Sequence, residues 1–153
     1  MSAELVRKFL MEHGIQYRTH THPKAYTAQE VAEAEHISGD QMAKPVMLMA
    51  DDALVMAVVP ADHRVDLDRA KTALGAEVVR LATESEFSPS FPDCERGAEP
   101  PFGMLYNVAT VVDQKLASEQ ITFNAGTHTT TISMARADYL DVLHPKVVDI
   151  SMP

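Results

Sequence analysis

The stretch KPVMLMADDALVMAVVP, residues 44–60, holds two apolar runs of strand length around Asp51-Asp52-Ala53. Val46–Ala50 and Leu54–Val59 are rich in β-branched and apolar residues, the run between them has turn composition, and Pro60 closes the second. That pattern predicts a β-hairpin. Lys44 stands at its mouth. Lysine is among the residues least often buried, and its charge is costly to desolvate without a partner. A lysine heading an apolar strand is either a snorkelling strand-end cation or a group with work to do in a pocket.

Working outward, the chain predicts mixed α and β elements without the regular alternation of a doubly wound sheet. A first helix covers about Ala3 to His13, with Ser2 as its cap, an apolar stripe of Leu5, Val6, Phe9 and Leu10, and Gly14 as its stop. Ile15 to Thr21 alternates like an edge strand. Thr27 and Glu30 have capping-box spacing for a helix through about His36. After the hairpin come a helix over Leu67–Leu74, capped by Asp66 and followed by Gly75, and a short strand, Val78–Leu81. Thr83 and Glu86 repeat the capping-box spacing. Residues 88–103, SPSFPDCERGAEPPFG, hold four prolines in sixteen positions, which predicts a loop with a fixed path. Strands at Val108–Val112, Ile121–Asn124 and Thr129–Met134, a helix over Arg136–Leu143 and a last strand, Val147–Ile150, complete the expectation.

At 153 residues, with 46% hydrophobic and 23% charged, the chain reads as one globular domain spanning residues 1–153. No run approaches the ~18 apolar residues of a membrane-spanning helix. The N-terminus lacks the basic start and apolar centre of a signal peptide. Cys94 is the only cysteine, so no internal disulfide can form, and a reducing cytoplasm is the expected setting. The net charge of −9 argues against wrapping duplex DNA or a long RNA. It leaves room for contact with a short end, because the stretch between Glu12 and Glu30 has no carboxylate and carries His13, Arg18, His20, His22 and Lys24.

The GxxxxGK[ST], GxGxxG, GxSxG and HExxH signatures do not occur. Three features remain. His20 and His22 would face the same side of a strand and so could share a metal, with a third ligand from His63 or His128. The favoured reading is a strand with ordinary imidazoles and no metal or cofactor. Gly97-Ala98-Glu99-Pro100-Pro101-Phe102-Gly103 is a stiff segment that either walls a small pocket or pins Phe102 into the core. In Phe123-Asn124-Ala125-Gly126-Thr127-His128-Thr129 a strand ends in a polar turn. There Asn124 can orient a carbonyl or water, and His128 can act as acid or base. The competing reading of that turn is a hairpin whose side chains satisfy its own backbone.

Taken in series, Lys44 before its strand, GAEPPFG and FNAGTHTTTI resemble the YbaK family, the stand-alone relatives of the editing domain inserted in bacterial prolyl-tRNA synthetases. The resemblance runs from about Leu5 to Ile150. It implies a YbaK-like mixed α/β (α+β) fold with a curved, partly barrel-like sheet surrounded by helices. It also implies a trans-acting deacylase that hydrolyses the ester of mischarged tRNA without a metal, with a synthetase as a further partner. Lys44 would hold the terminal adenosine or its phosphate, with Asn124 and His128 beside it. Gly97, Pro100, Pro101, Phe102, Gly103, Gly126 and His20 would border the substrate. Two positions depart from the family pattern. Asn124 stands where alanine-specific members carry histidine, and Pro45 follows the lysine, removing one backbone donor. The rival readings are a non-catalytic module of the same fold that docks a synthetase, a tRNA end or a nucleotide, and a histidine-based metal hydrolase.

Overall fold

The computed structural model describes residues 2–153. Helix α1 (Ser2–Glu12) buries Val6 and Leu10 completely and ends at Gly14, whose φ of +66° favours a residue without Cβ. The Ser2 side chain, expected as its cap, lies outside the described residues. Strand β1 (Tyr17–Thr21) starts two residues later than the alternation predicts. Helix α2 (Ala28–Ala34) opens with the expected capping box, Glu30 N donating to Thr27 Oγ1 at 3.0 Å and Thr27 N to Glu30 Oε1 at 3.2 Å. It stops short of the predicted His36, where φ turns to +57°.

The hairpin forms as β2 (Ala43–Ala50) and β3 (Ala53–Pro60), in unbroken antiparallel register from Ala43↔Pro60 to Ala50↔Ala53. Asp51 and Asp52 both have positive φ, 47° and 68°, the signature of a two-residue type I′ connection that matches strand twist. The Asp51 carboxylate accepts the Glu77 and Val78 amides, and those bonds hold it below the usual carboxylate range. Strand β2 therefore begins one residue before Lys44, placing the lysine inside the ladder.

Beyond the hairpin lie β4 (Arg64–Val65), α3 (Leu67–Leu74), β5 (Val79–Leu81) and α4 (Glu84–Phe87). Asp66 caps α3 by accepting from the Asp68 and Arg69 amides, and Gly75 ends it in a left-handed conformation. The proline-rich segment is loop apart from one 3-10 turn, Ser88–Ser90, and a second turn, Gly103–Tyr106, follows it. Strands β6 (Ala109–Asp113), β7 (Gln120–Asn124) and β8 (Thr130–Ala135) lead to α5 (Arg136–Leu143). The single last strand expected at Val147–Ile150 is two short ones, β9 (Lys146–Val148) and β10 (Ser151–Met152). Buried Asp113 is the physical reason for the break. Its carboxylate accepts the Ile150 amide and the Ser151 hydroxyl, which draws the chain off the sheet between them.

Five strands form one sheet in the order β5-β2-β3-β6-β9, and three form another, β1-β8-β7. A parallel bridge between Met42 and Thr122, with Thr122 N donating to Gln41 O at 3.1 Å, joins them through β2 and β7. The result is a mixed α/β fold with a curved, open sheet, short of a closed barrel. One side of the hairpin, Ala43, Met47, Met56 and Val58, packs into the main core with α1, Phe102, Phe123 and Tyr139. The opposite side, Leu48, Val55, Ala57 and Val59, is covered by Ala70 of α3. A third cluster sets Val31 and Ala32 of α2 on Met42, Ala25 and Ala61. Among the described residues no helix is long and apolar enough to cross a membrane.

Pro45 has a structural account. Ala82 N donates to Met47 O and Thr122 N to Gln41 O, so the odd-numbered residues of β2 direct their backbone groups away from β3. Along that edge β2 exchanges one partner, β7, bridged at Met42, for another, β5, whose pairing begins at Leu48. Pro45 lies in this fork between the two junctions with its nitrogen turned away from β3, so its missing N–H removes no bond of the hairpin.

Candidate functional site

Alternation along β2 puts Lys44 on the same side as Val46 and Leu48 but beyond the cover of α3. Its ammonium donates to His63 O at 2.6 Å and to Ala61 O at 3.4 Å, carbonyls of the turn that follows β3. Two of its three protons are thus committed. The side chain is half-buried, and burial pulls its pKa below the ordinary 10.5, while the nearby Asp62 carboxylate opposes that shift. It lines a cavity of about 410 Å³ together with Thr27 and Gln29 at the start of α2, and with Asp62, His63 and Arg64.

Two other predicted residues share its side of the sheet. His20 pairs with Thr131, and Thr131 with Asn124, so these three side chains form a row across β1, β8 and β7. Lys44 lies two residues past Met42, and Asn124 two past Thr122, so both leave the β2–β7 junction toward α2. Asn124 is 5% exposed, and its Oδ1 is buried without a hydrogen-bond partner among the described residues. Thr131 is fully buried and donates its hydroxyl to Glu35, just past α2. Neither Thr131 nor Glu35 has a motif. The signal for Thr131 is its place opposite Asn124 once the hairpin register is counted.

Gly97, Gly126 and His128 meet in a second cluster. Gly126 N donates to Ala98 O, and Glu95 N donates to Gly126 O, both at 2.8 Å, tying the proline loop to the β7–β8 turn. Gly97 and Gly126 have φ of +82° and +98°, and a Cβ on Gly97 would stand 3.6 Å from the His128 ring. Both His128 nitrogens face carbonyls, Nε2 that of Arg96 at 2.6 Å and Nδ1 that of Ala25 at 3.2 Å. Its amide donates to Glu95 Oε1 at 2.7 Å. Each nitrogen lies against a carbonyl, so whichever carries the proton ties the ring to residue 25 or to residue 96, and His128 does not line the Lys44 cavity. Residues 25–29 connect the two clusters, since Ala25 touches His128 and Thr27 and Gln29 line the cavity.

Pro100 through Gly103 lead from this loop into the core. Phe102 is fully buried and packs edge-on against the rings of Phe9, Phe123 and Tyr139 at 5.3–6.0 Å. The Tyr139 hydroxyl donates to Pro101 O at 2.6 Å. Gly103 passes so close to its neighbours that a Cβ would stand 2.2 Å from Thr110 Oγ1 and 2.6 Å from Val108 O. These residues fix the path of the loop from below. The four histidines weighed for a metal are not gathered. His63 lies in the Lys44 cavity with Nδ1 2.9 Å from Asp62 Oδ1, and His128 is in the loop cluster. Among the described residues no three His, Cys, Asp or Glu side chains are placed to hold a metal ion.

Glu99, 7% exposed, accepts the Gly97 amide at 3.2 Å. Burial raises its pKa above the ordinary 4.5, against the pull of its backbone bonds and of His128. A carboxyl raised in the folded state adds stability below 4.5 that is lost as pH climbs through the folded value. Glu99→Gln keeps the acceptor without the charge. The melting temperature of the variant relative to wild type is therefore expected to be higher at pH 7 than at pH 4. An unchanged difference across that range would show that the carboxyl is not perturbed.

The family model described as aminoacyl-tRNA editing domain matches residues 22–142. The multifunctional Ser/Thr-tRNA deacylase ProXp-y of Escherichia coli K12 is 27% identical over 92% of this chain and 87% of that protein. A proline–tRNA ligase of Bacillus cereus is 30% identical over 63% of this chain, which spans only 17% of the ligase. Among solved structures, a candidate trans-editing enzyme for prolyl tRNA synthetase superposes with a TM-score of 0.85 at 22% identity, over 99% of this chain and 98% of that one. At that identity the likeness speaks to the fold.

Proposed function

The chain belongs to the aminoacyl-tRNA editing domain family, and from that membership we propose that it is a trans-acting aminoacyl-tRNA deacylase whose cavity at Lys44 receives the 3′ end of mischarged tRNA. Such an activity answers a physical limit. One methylene in an apolar pocket discriminates by only ~1–3 kcal/mol, so a synthetase also needs a second site that hydrolyses wrong products. Water adds to the ester carbonyl, the bond to the ribose oxygen breaks, and free amino acid and uncharged tRNA leave.

The observation that carries this reading is a half-buried ammonium pinned by two carbonyls at the wall of a cavity, on the same side of the sheet as Asn124. A cation held this way needs no reorganisation as negative charge develops on the ester or as the terminal phosphate docks. Its third proton is the one assigned to the substrate. Asn124 and His20 are assigned to the amino-acid and ribose side of the cavity. Gly97, Gly126 and His128 are assigned to the rim, with His128 as a clip in place of a proton carrier. Pro100, Pro101, Phe102 and Gly103 support that rim from the core. A net charge of −9 fits an enzyme that is handed its RNA by a partner such as a synthetase.

The test is single-turnover incubation with a panel of charged tRNAs. Serine and threonine come first, because ProXp-y is named for them, with alanine and cysteine beside them. Ester loss above buffer for at least one is the expected result. Intact protein that protects every ester would be a binding module instead.

A further inference from the structure

The segment between β1 and α2 carries an aromatic side chain that the fold does not need for packing. Tyr26 is 58% exposed. The backbone just before it is tied to the β7–β8 turn, Ala25 N donating to His128 O at 3.2 Å and His22 N to Thr129 O at 2.9 Å. The Tyr26 ring rests against the His128 ring at 4.9 Å between centroids. The Lys24 ammonium stands 5.5 Å above the Tyr26 ring, near the outer limit for attraction to a π face. The next residues, Thr27 to Gln29, line the Lys44 cavity. Lys24 and Tyr26 also lie in a stretch, between Glu12 and Glu30, that has no carboxylate and carries His13, Arg18, His20 and His22 besides.

An exposed aromatic ring beside a tethered backbone, with a cation over it and a lysine-lined cavity next door, has the composition of a single-strand nucleic-acid platform. Bases of an unpaired end stack on such rings, and neighbouring cations take the phosphates. We propose that Tyr26 is the stacking platform for the terminal purine of the RNA 3′ end, and that Lys24 pairs with the adjoining phosphate. Bound base displaces the ammonium from the ring, and the freed ammonium moves to the phosphate. His128, clipped from behind, keeps the ring in place. The identity of the RNA rests on the deacylase reading. The stacking itself is measured without any hydrolysis.

The probe is a short RNA stem with an unpaired 3′ end whose terminal base is 2-aminopurine. Wild-type protein is expected to bind it and quench the fluorophore. Tyr26→Leu should abolish the quench and weaken Kd about tenfold. Tyr26→Phe should preserve both, since the ring and not the hydroxyl is used. Lys24→Gln should keep the quench, weaken Kd and flatten its salt dependence by about one phosphate contact. With charged tRNA, Tyr26→Leu should raise KM while kcat holds. Wild-type binding and quench in Tyr26→Leu, loss of both in Tyr26→Phe, or no quench by wild type would each overturn the platform. Quench and variant effects intact alongside absent hydrolysis would sink the deacylase reading and leave the platform standing.

Discussion

Lys44→Ala is expected to slow single-turnover ester hydrolysis about 100-fold or more, the usual cost of deleting one preorganised donor. The same variant should melt within a few degrees of wild type. Removing the ammonium leaves the Ala61 and His63 carbonyls without this donor, but they border a cavity of about 410 Å³ that water can enter. It also relieves a cost, because a cation whose pKa is depressed by burial is less stable charged there than in water. The two effects oppose, so a net change of about 1 kcal/mol is the scale to expect. Hydrolysis and thermal melting on the same preparation settle the point. A variant that unfolds marks Lys44 as a strand-end structural group, and one that hydrolyses at the wild-type rate removes it from the site.

Phe102→Ala should behave in the opposite way. The side chain is fully buried among Phe9, Phe123 and Tyr139, and truncating an aromatic in such a place costs about 3–5 kcal/mol. Denaturant unfolding should show that loss directly. Any fall in activity should track the unfolded fraction and recover when the fold is stabilised by lower temperature. A normal unfolding midpoint with a selective rise in KM would place Phe102 at the substrate instead of beneath it.

Local signals carried most of the architecture. The hairpin at 44–60, the Thr27–Glu30 capping box, the Asp66 cap and the Gly75 stop each depend on neighbours within a few residues, and each formed where the chain predicts it. Strands β4 and β10 escaped notice because two residues have no period, and they exist through the distant pull of Asp113 on Ser151. The site divides along the same line. Lys44 is conspicuous because a charge heading an apolar strand violates patterning. Thr131, Glu35 and Tyr26 violate nothing locally. Their places come from the register that sets Thr131 opposite Asn124 and from the turn that stacks Tyr26 on His128. His128 was legible as a polar turn residue, but only the folded loops reveal that its nitrogens lie against the carbonyls of Arg96 and Ala25.

The fork in β2 bears on how the protein lives among copies of itself. A strand edge whose partners end and resume leaves a short bare template, the kind of place where another molecule's strand can add and begin an aggregate. At the centre of that gap Pro45 offers no amide hydrogen, and Lys44 beside it brings a charge that a foreign strand would have to desolvate. The dipeptide that carries the candidate site's cation is therefore also expected to make this edge a poor template for a foreign strand.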